Sequence, residues 1–248
     1  LKNDLAIMYS GGLDSFIAYH YALKSGYNNP ILIHTAIEHP YNKREQASMK
    51  GLQLDYITIG LDGLYGEIEK RMVNQIIPSR NVMLATIGSM FAPRVWVCAL
   101  DGEQLGKEND KSERFYTDTT KLLSFTNEFF QDETIVETPF ANMSKVEVVK
   151  WALENGVSEG DLKRTSSCYA GGEKQCGSCL TCYKRYIAMY LNGIVEDYET
   201  DPSKSEYALS MMNEILIAHE HKDYTRFTPK RIKEHFEYMD MRAHEITT

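Results

Sequence analysis

Residues 5–15 read Leu5-Ala6-Ile7-Met8-Tyr9-Ser10-Gly11-Gly12-Leu13-Asp14-Ser15. An apolar run meets two serines, two glycines and an aspartate. A helical stretch then runs to Lys24, with Gly26 placed as its stop. A strand that turns directly into a helix leaves free N–H groups and the positive end of the helix dipole at the turn. Such a turn either closes on itself through a serine cap or receives an anion. Glycines let the backbone approach phosphate oxygens, and Ser10 and Ser15 add hydroxyl donors. The Walker loop's G-x-x-x-x-G-K-[ST] and the Rossmann G-x-G-x-x-G are both absent. Without a lysine here, transfer of a terminal phosphate is not the chemistry expected. Asp14 is either a magnesium-side carboxylate or a second helix cap.

Further strands are predicted at 30–36, 56–60, 95–100 and 134–139. Helices are predicted over 42–54, 65–75, 81–91, 119–130 and from Ser144 to about Asn155. Ser144-Lys145-Val146-Glu147 has the pattern of a capping box, and residues 101–114 are polar and loop-like. Strands alternating with helices predict an α/β fold, a mostly parallel sheet with helices on both faces. Ligands bind such sheets at the carboxyl ends of the strands, here Ser10–Ser15, Thr35–His39 and Asp101 onward.

The chain's 248 residues divide into an expected nucleotide-binding domain (1–160), a cysteine-bearing segment with a helix over 186–198 (161–200) and a helical C-terminal appendage (201–248). In the appendage Asp201-Pro202 marks a break and Thr228-Pro229 a helix start. A net charge of −8 speaks against strong nucleic-acid binding. No apolar run reaches the ~18 residues of a membrane span. Leu1 onward shows no signal-peptide pattern, so the expected compartment is the cytoplasm, that of the host for a viral chain.

Four of the five cysteines, Cys168, Cys176, Cys179 and Cys182, are spaced C-x7-C-x2-C-x2-C. Clustering of this kind points to a metal rather than a disulfide framework. Four thiolates would close the coordination of a structural zinc; an iron–sulfur cluster or free redox thiols are the alternatives. Cys98, inside an apolar run, is expected to be a small core residue.

The loop resembles the pyrophosphatase-type P-loop (SGGxDS) of ATP pyrophosphatases, carried by Ser10, Gly11, Gly12, Asp14 and Ser15. Together with Ser167-Cys168-Tyr169 and the cysteine run to Cys182, it resembles the 7-cyano-7-deazaguanine (preQ0) synthase family. Pro78-Ser79-Arg80-Asn81 is similar to that family's PGRN, Thr138-Pro139 with Ser144–Glu147 to its TP…sKxE, Tyr116-Thr117-Asp118 to its YPD, and Arg185 to the basic residue after the last cysteine. The resemblance implies a Rossmann-like fold of the adenine nucleotide alpha hydrolase type. It also implies conversion of 7-carboxy-7-deazaguanine, ammonia and ATP, with Mg²⁺, into the 7-cyano base for tRNA or DNA modification. A structural zinc and a homodimer follow from it as well. The alternatives are a related enzyme adenylating another carboxylate or tRNA, and an idle ATP-binding module. Departures fall at 34–41, where the family has FDYGQRH, at 119–123, where it has CRxEF, and in the last fifty residues.

The resemblance places nucleotide binding on Tyr9, Ser10, Gly11, Gly12, Leu13, Asp14 and Ser15. Ser10, Asp14, Arg80 and Lys145 are expected as catalytic groups, and Thr35, Asn81 and Asp118 as substrate contacts. Arg80 and Lys145 read equally as solvated helix ends, and Asn81 as a helix cap. His34 and His39 sit where a ligand would pass but read more readily as solvated loop histidines, and His219, His221, His235 and His244 as surface. Lys230, Arg231 and Lys233 read as a helix face, Met211 and Met212 as core or interface.

Overall fold

The computed structural model describes residues 2–39, 41–71, 77–103, 109–170, 172 and 174–247. The strands are β1 (Leu5–Met8), β2 (Pro30–Ala36), β3 (Ile57–Gly60), β4 (Arg94–Trp96) and β5 (Ile135–Glu137). They pair in parallel in the order β3-β2-β1-β4-β5. The first four helices are α1 (Leu13–Lys24), α2 (Asn42–Leu52), α3 (Leu64–Glu69) and α4 (Arg80–Ser89). Then come α5 (Glu113–Asn127), α6 (Lys145–Glu154), α7 (Glu159–Arg164) and α8 (Leu180–Tyr190). A 3₁₀ turn (Pro202–Lys204), α9 (Glu206–His221) and α10 (Pro229–Thr247) complete the chain.

All of β1 is buried, as a central parallel strand covered on both faces requires. Its side chains alternate between two cores. Leu5, Ile7 and Tyr9 pack with Phe16 and Ile17 of α1 and Val148, Val149 and Ala152 of α6. Ala6 and Met8 pack with Ala85 of α4 and Tyr116 and Leu123 of α5. Each fully buried Ile or Phe stabilises this arrangement by about 1.5–3 kcal/mol. Strand order reverses at β1, between β2 and β4, which opens a crevice at the carboxyl edge just where residues 10–15 leave β1. The expected doubly wound plan is therefore the one formed.

Several boundaries differ from the pattern-based expectation. β4 ends at Trp96, not at residue 100. Its partner β5 runs into Pro139, which has no N–H for the ladder, and Thr138 instead pairs with the Ala99 backbone through its hydroxyl. α5 starts at Glu113 because the Ser112 hydroxyl accepts from the Phe115 N–H. α3 ends at Glu69, and residues 72–75 of the helix predicted there lie outside the described residues. α8 begins inside the cysteine run, because Cys179 is itself the N-cap residue, and ends at Tyr190. α9 and α10 pack on α8: Met211, Ile215, Ile232 and Tyr238 share one core with its Tyr183 and Ile187.

Candidate nucleotide site and cysteine centre

The turn after β1 is held from outside. Gly11 has φ +67°, and a Cβ there would stand 2.8 Å from Met49 Cγ and 3.1 Å from Ser48 Oγ. Its carbonyl accepts from Ser48 Oγ at 2.8 Å and from the Ser166 N–H at 2.9 Å. Ser10 and Ser15 face one another, the Ser10 N–H donating to Ser15 Oγ at 3.3 Å and the Gly12 N–H to Ser10 Oγ at 3.3 Å. α1 starts at Leu13 after the N-cap Gly12, with no side-chain cap, so neither serine nor Asp14 closes its end. The donors of that first turn remain for an anion.

Asp14 faces instead the first residue of α6. Lys145 Nζ donates to both carboxylate oxygens, at 2.6 and 2.7 Å. The predicted capping box is formed in full, with Ser144 and Glu147 satisfying each other's backbone N–H groups. It sets the direction in which α6 presents Lys145.

These groups open onto a cleft of about 390 Å³ at the carboxyl edge of the sheet. Tyr9, Ser10, Gly12, Leu13, Asp14, Ser15, Thr35, Arg80, Asn81 and Lys145 all line it. Thr35 Oγ1, Tyr9 Oη and His34 Nε2 are buried with no hydrogen-bond partner among the described residues. Arg80 donates to Tyr41 Oη at 3.3 Å. Asn81 does not cap α4; its amide donates to the Asp110 carbonyl at 3.0 Å, and the side chain is buried. Gly11, whose carbonyl is turned toward Ser48 and Ser166, is not in that lining, and neither is Asp118. Asp118 is exposed on α5 and pairs with Arg114 one turn away, because the helix turns position 118 outward while Tyr116 goes into the core.

The histidines also depart from expectation. His34 is buried, with Nδ1 on the Tyr9 carbonyl at 3.2 Å, and burial lowers its pKa. His39 is buried against Tyr41 and Tyr65, and burial followed by the Arg80 charge lowers its pKa. His235 is buried and bonded to the Arg231 carbonyl, its pKa pulled down to about 4 by burial. Cys98 lines the cleft rather than the core alone, and burial raises its thiol pKa.

Several charged lining residues carry no sequence signal. Burial pushes the Glu45 carboxyl up to about 8, only partly opposed by Arg80. Burial also acts on Glu103, but Lys111, Lys145 and Lys184 outweigh it and hold that carboxyl down to about 2. Lys111 Nζ donates to Glu103 at 3.0 Å. Lys184 of α8 reaches the same cleft, its pKa pulled down to about 8 by burial and by Arg231. These residues come from α2, α8 and the stretch before α5, so only the fold unites them.

The cysteine centre lies beside the cleft. The sulfurs of Cys168, Cys176, Cys179 and Cys182 lie within 4.8 Å of one another, with Cys176 and Cys182 at 3.8 Å. Sulfurs at the corners of a tetrahedron with ~2.3 Å metal–sulfur bonds lie about 3.8 Å apart, so the four fit a single metal ion. Gly177, at φ +75°, lets the turn pass Thr200, whose carbonyl a Cβ would strike. Gly171 of this segment lies outside the described residues. Arg185 fixes the far side. Fully buried, it donates to Glu196 through Nε and Nη2, and to Thr165, Ser167 and the Leu162 carbonyl.

Residues 57–193 match the model of the family described as Queuosine biosynthesis protein QueC. The chain belongs to that family. It is 29% identical over 220 residues to 7-cyano-7-deazaguanine synthase 2 of Sulfurisphaera tokodaii, covering 78% of this chain and 47% of that protein. It is 25% identical to 7-cyano-7-deazaguanine synthase 2 of Colwellia psychrerythraea, covering 77% of this chain and 95% of that protein. It is 26% identical to the 7-cyano-7-deazaguanine synthase of Thermoplasma acidophilum, covering 83% and 93%. The chain thus spans about half the length of the Sulfurisphaera relative and nearly all of the other two. No described helix is long and apolar enough to cross a membrane.

Proposed function

We propose that this chain converts 7-carboxy-7-deazaguanine, ammonia and ATP into 7-cyano-7-deazaguanine. The observation that carries this reading is the uncapped SGGLDS turn opening into the cleft, with Lys145 fixed across Asp14. Membership of the family and the printed names of the relatives support it.

The substrate carboxylate attacks the α-phosphorus of ATP, and pyrophosphate leaves. The turn's N–H groups and the hydroxyls of Ser10 and Ser15 receive it, and fixed donors aimed at developing charge lower that barrier. Lys145, Lys111 and Lys184 supply positive charge around the same space. Ammonia then displaces AMP from the acyl-adenylate, losing a proton as the amide forms. The amide oxygen then attacks the α-phosphorus of a second ATP, releasing pyrophosphate, and leaves as part of AMP while the amide nitrogen gives up its two protons and the nitrile forms. Thr35 and Asn81 are the proposed substrate contacts, and Arg80 the cation at the mouth. Asp118, being outside the cleft, is not among them.

Asp14 is the loop carboxylate that fits Mg²⁺, shared with Lys145, since magnesium on polyphosphates keeps most of its shell as water and phosphate oxygen. Bound there, it would screen the charge of the departing pyrophosphate. The cysteine set is proposed to hold zinc, with no open position and hence a structural role. Incubation with the carboxylate, ATP, Mg²⁺ and ammonium should yield the cyano base by mass spectrometry. A protein that binds zinc and ATP but makes no such base would sink the reading.

A further inference from the structure

The last helix makes contacts that a surface appendage has no reason to make. Lys230 Nζ donates to Glu147 at 2.7 Å and to the Asn142 carbonyl at 2.8 Å. One turn later on the same face, Glu234 accepts a hydrogen bond from the Ser144 hydroxyl. Just before the helix, Thr228 Oγ1 donates to Asp101 at 3.1 Å. Behind the cleft, Arg231, Glu234 and His235 close a small chamber of about 50 Å³ whose other walls include Glu103, Lys145 and Lys184. Those last three also line the nucleotide cleft, so one wall divides the two spaces.

Ser144 and Glu147 are the two halves of the capping box that starts α6. Ser144 is buried and its oxygen already accepts from the Glu147 N–H, so its one proton needs an acceptor. Glu234 is that acceptor. Glu147 already accepts from the Ser144 N–H at 2.9 Å, and Lys230 compensates its charge. Each half of a normally local device is thus gripped by α10. Of the two residues between them in sequence, the one that is first in the helix is Lys145, whose ammonium holds both oxygens of Asp14.

We infer that α10 is a working wall of the nucleotide site: Lys230 and Glu234 are positioning residues that, through Ser144 and Glu147, fix Lys145 against Asp14. This places a function on a helix outside residues 57–193, the part shared with the family model. The inference rests on the reading of residues 10–15 as a phosphate cradle. A buried hydroxyl left without its partner costs a helix start as much as a lost cap.

The test compares Glu234→Ala, Glu234→Gln, Lys230→Ala and Lys233→Ala with the unaltered chain by amide hydrogen exchange. Lys233 is exposed and, among the described residues, pairs with Glu237 on its own helix, so its variant is the control. Glu234→Ala and Lys230→Ala should speed exchange about fivefold in the peptides 142–150 and 9–16, with a thermal midpoint lowered by only about 2–4 °C. Glu234→Gln keeps an acceptor for Ser144 and should exchange as the unaltered chain does, as should Lys233→Ala. Faster exchange confined to 227–247, or a Glu234→Gln variant as loose as Glu234→Ala, overturns the inference. If Glu234→Ala fails to fold, Lys230→Ala carries the same comparison. Pyrophosphate release measured in parallel separates the two claims: its absence in the unaltered chain defeats the reading of the site, while the exchange comparison still decides the role of α10.

Discussion

The SGGLDS turn and the cysteine run lie against one cleft and are built in opposite ways. The turn spends few groups on the helix end: α1 has no side-chain cap, and besides the Ser10–Ser15 contacts within it the turn is pinned by Ser48, Ser166 and Lys145. The cysteine run is closed on itself, with four sulfurs facing one another and a buried Arg185–Glu196 pair behind them. One region leaves donors for a ligand that comes and goes. The other consumes its donors to hold a shape. They are joined where Ser166, two residues before Cys168, donates to the Gly11 carbonyl, and where Arg44 of α2 donates to the carbonyls of Ala170, Gly172 and Lys174. The closed region therefore serves as the abutment of the open one.

Breaking the closed region should cost stability first. Arg185→Ala strands the Glu196 carboxylate in the interior, and removing one partner of a buried pair typically costs about 3–5 kcal/mol. Urea denaturation should show that loss, and in zinc-loaded protein the metal should be released at lower denaturant. A loss under about 1 kcal/mol would mean that the pair is a surface contact in disguise.

Breaking the open region should cost rate rather than fold. Lys145→Ala should slow pyrophosphate release by about 10²-fold, as losing one fixed donor to a developing charge does. Its denaturation midpoint should hold. An equal fall in stability and rate would merge the two regions' roles.

How much of this contrast is legible in the sequence follows from where each signal resides. The turn and the cysteines are local patterns: glycines after an apolar strand, and thiols with two residues between them, each with a chemistry tied to the spacing. Glu45, Glu103, Lys111 and Lys184 are single charged residues on polar stretches, and nothing local distinguishes a cleft wall from a solvated face. Asp118 shows the converse. Its tripeptide matches a family motif, yet the α5 start set by Ser112 turns it outward, and helical phase is not part of a three-residue match. His34, His39 and His235 read as polar surface because their burial comes from neighbours distant in sequence.

A smaller effect sharpens the role of one such hidden residue. Glu45 has its pKa raised from the ordinary 4.5 to about 8, so between those values the folded chain keeps a proton that the unfolded chain has lost. Its contribution to stability is therefore lost as pH rises through that window. Glu45→Gln removes the linkage and should gain in melting temperature over the unaltered chain more at about pH 8 than at about pH 5. A pH-independent difference would contradict the burial assigned to this carboxyl. The smallest effect belongs to Asp118→Asn, which breaks only an exposed one-turn pair. It should change stability by less than about 0.5 kcal/mol and leave the cyano-base yield unchanged. A marked fall in yield would return Asp118 to the substrate site.

The contrast depends on what the open turn receives. With 7-carboxy-7-deazaguanine and ammonium present, the nucleotide products of ATP should be AMP and pyrophosphate, released only when the carboxylate is added. ADP and inorganic phosphate in their place, or no carboxylate-dependent release at all, would contradict the account.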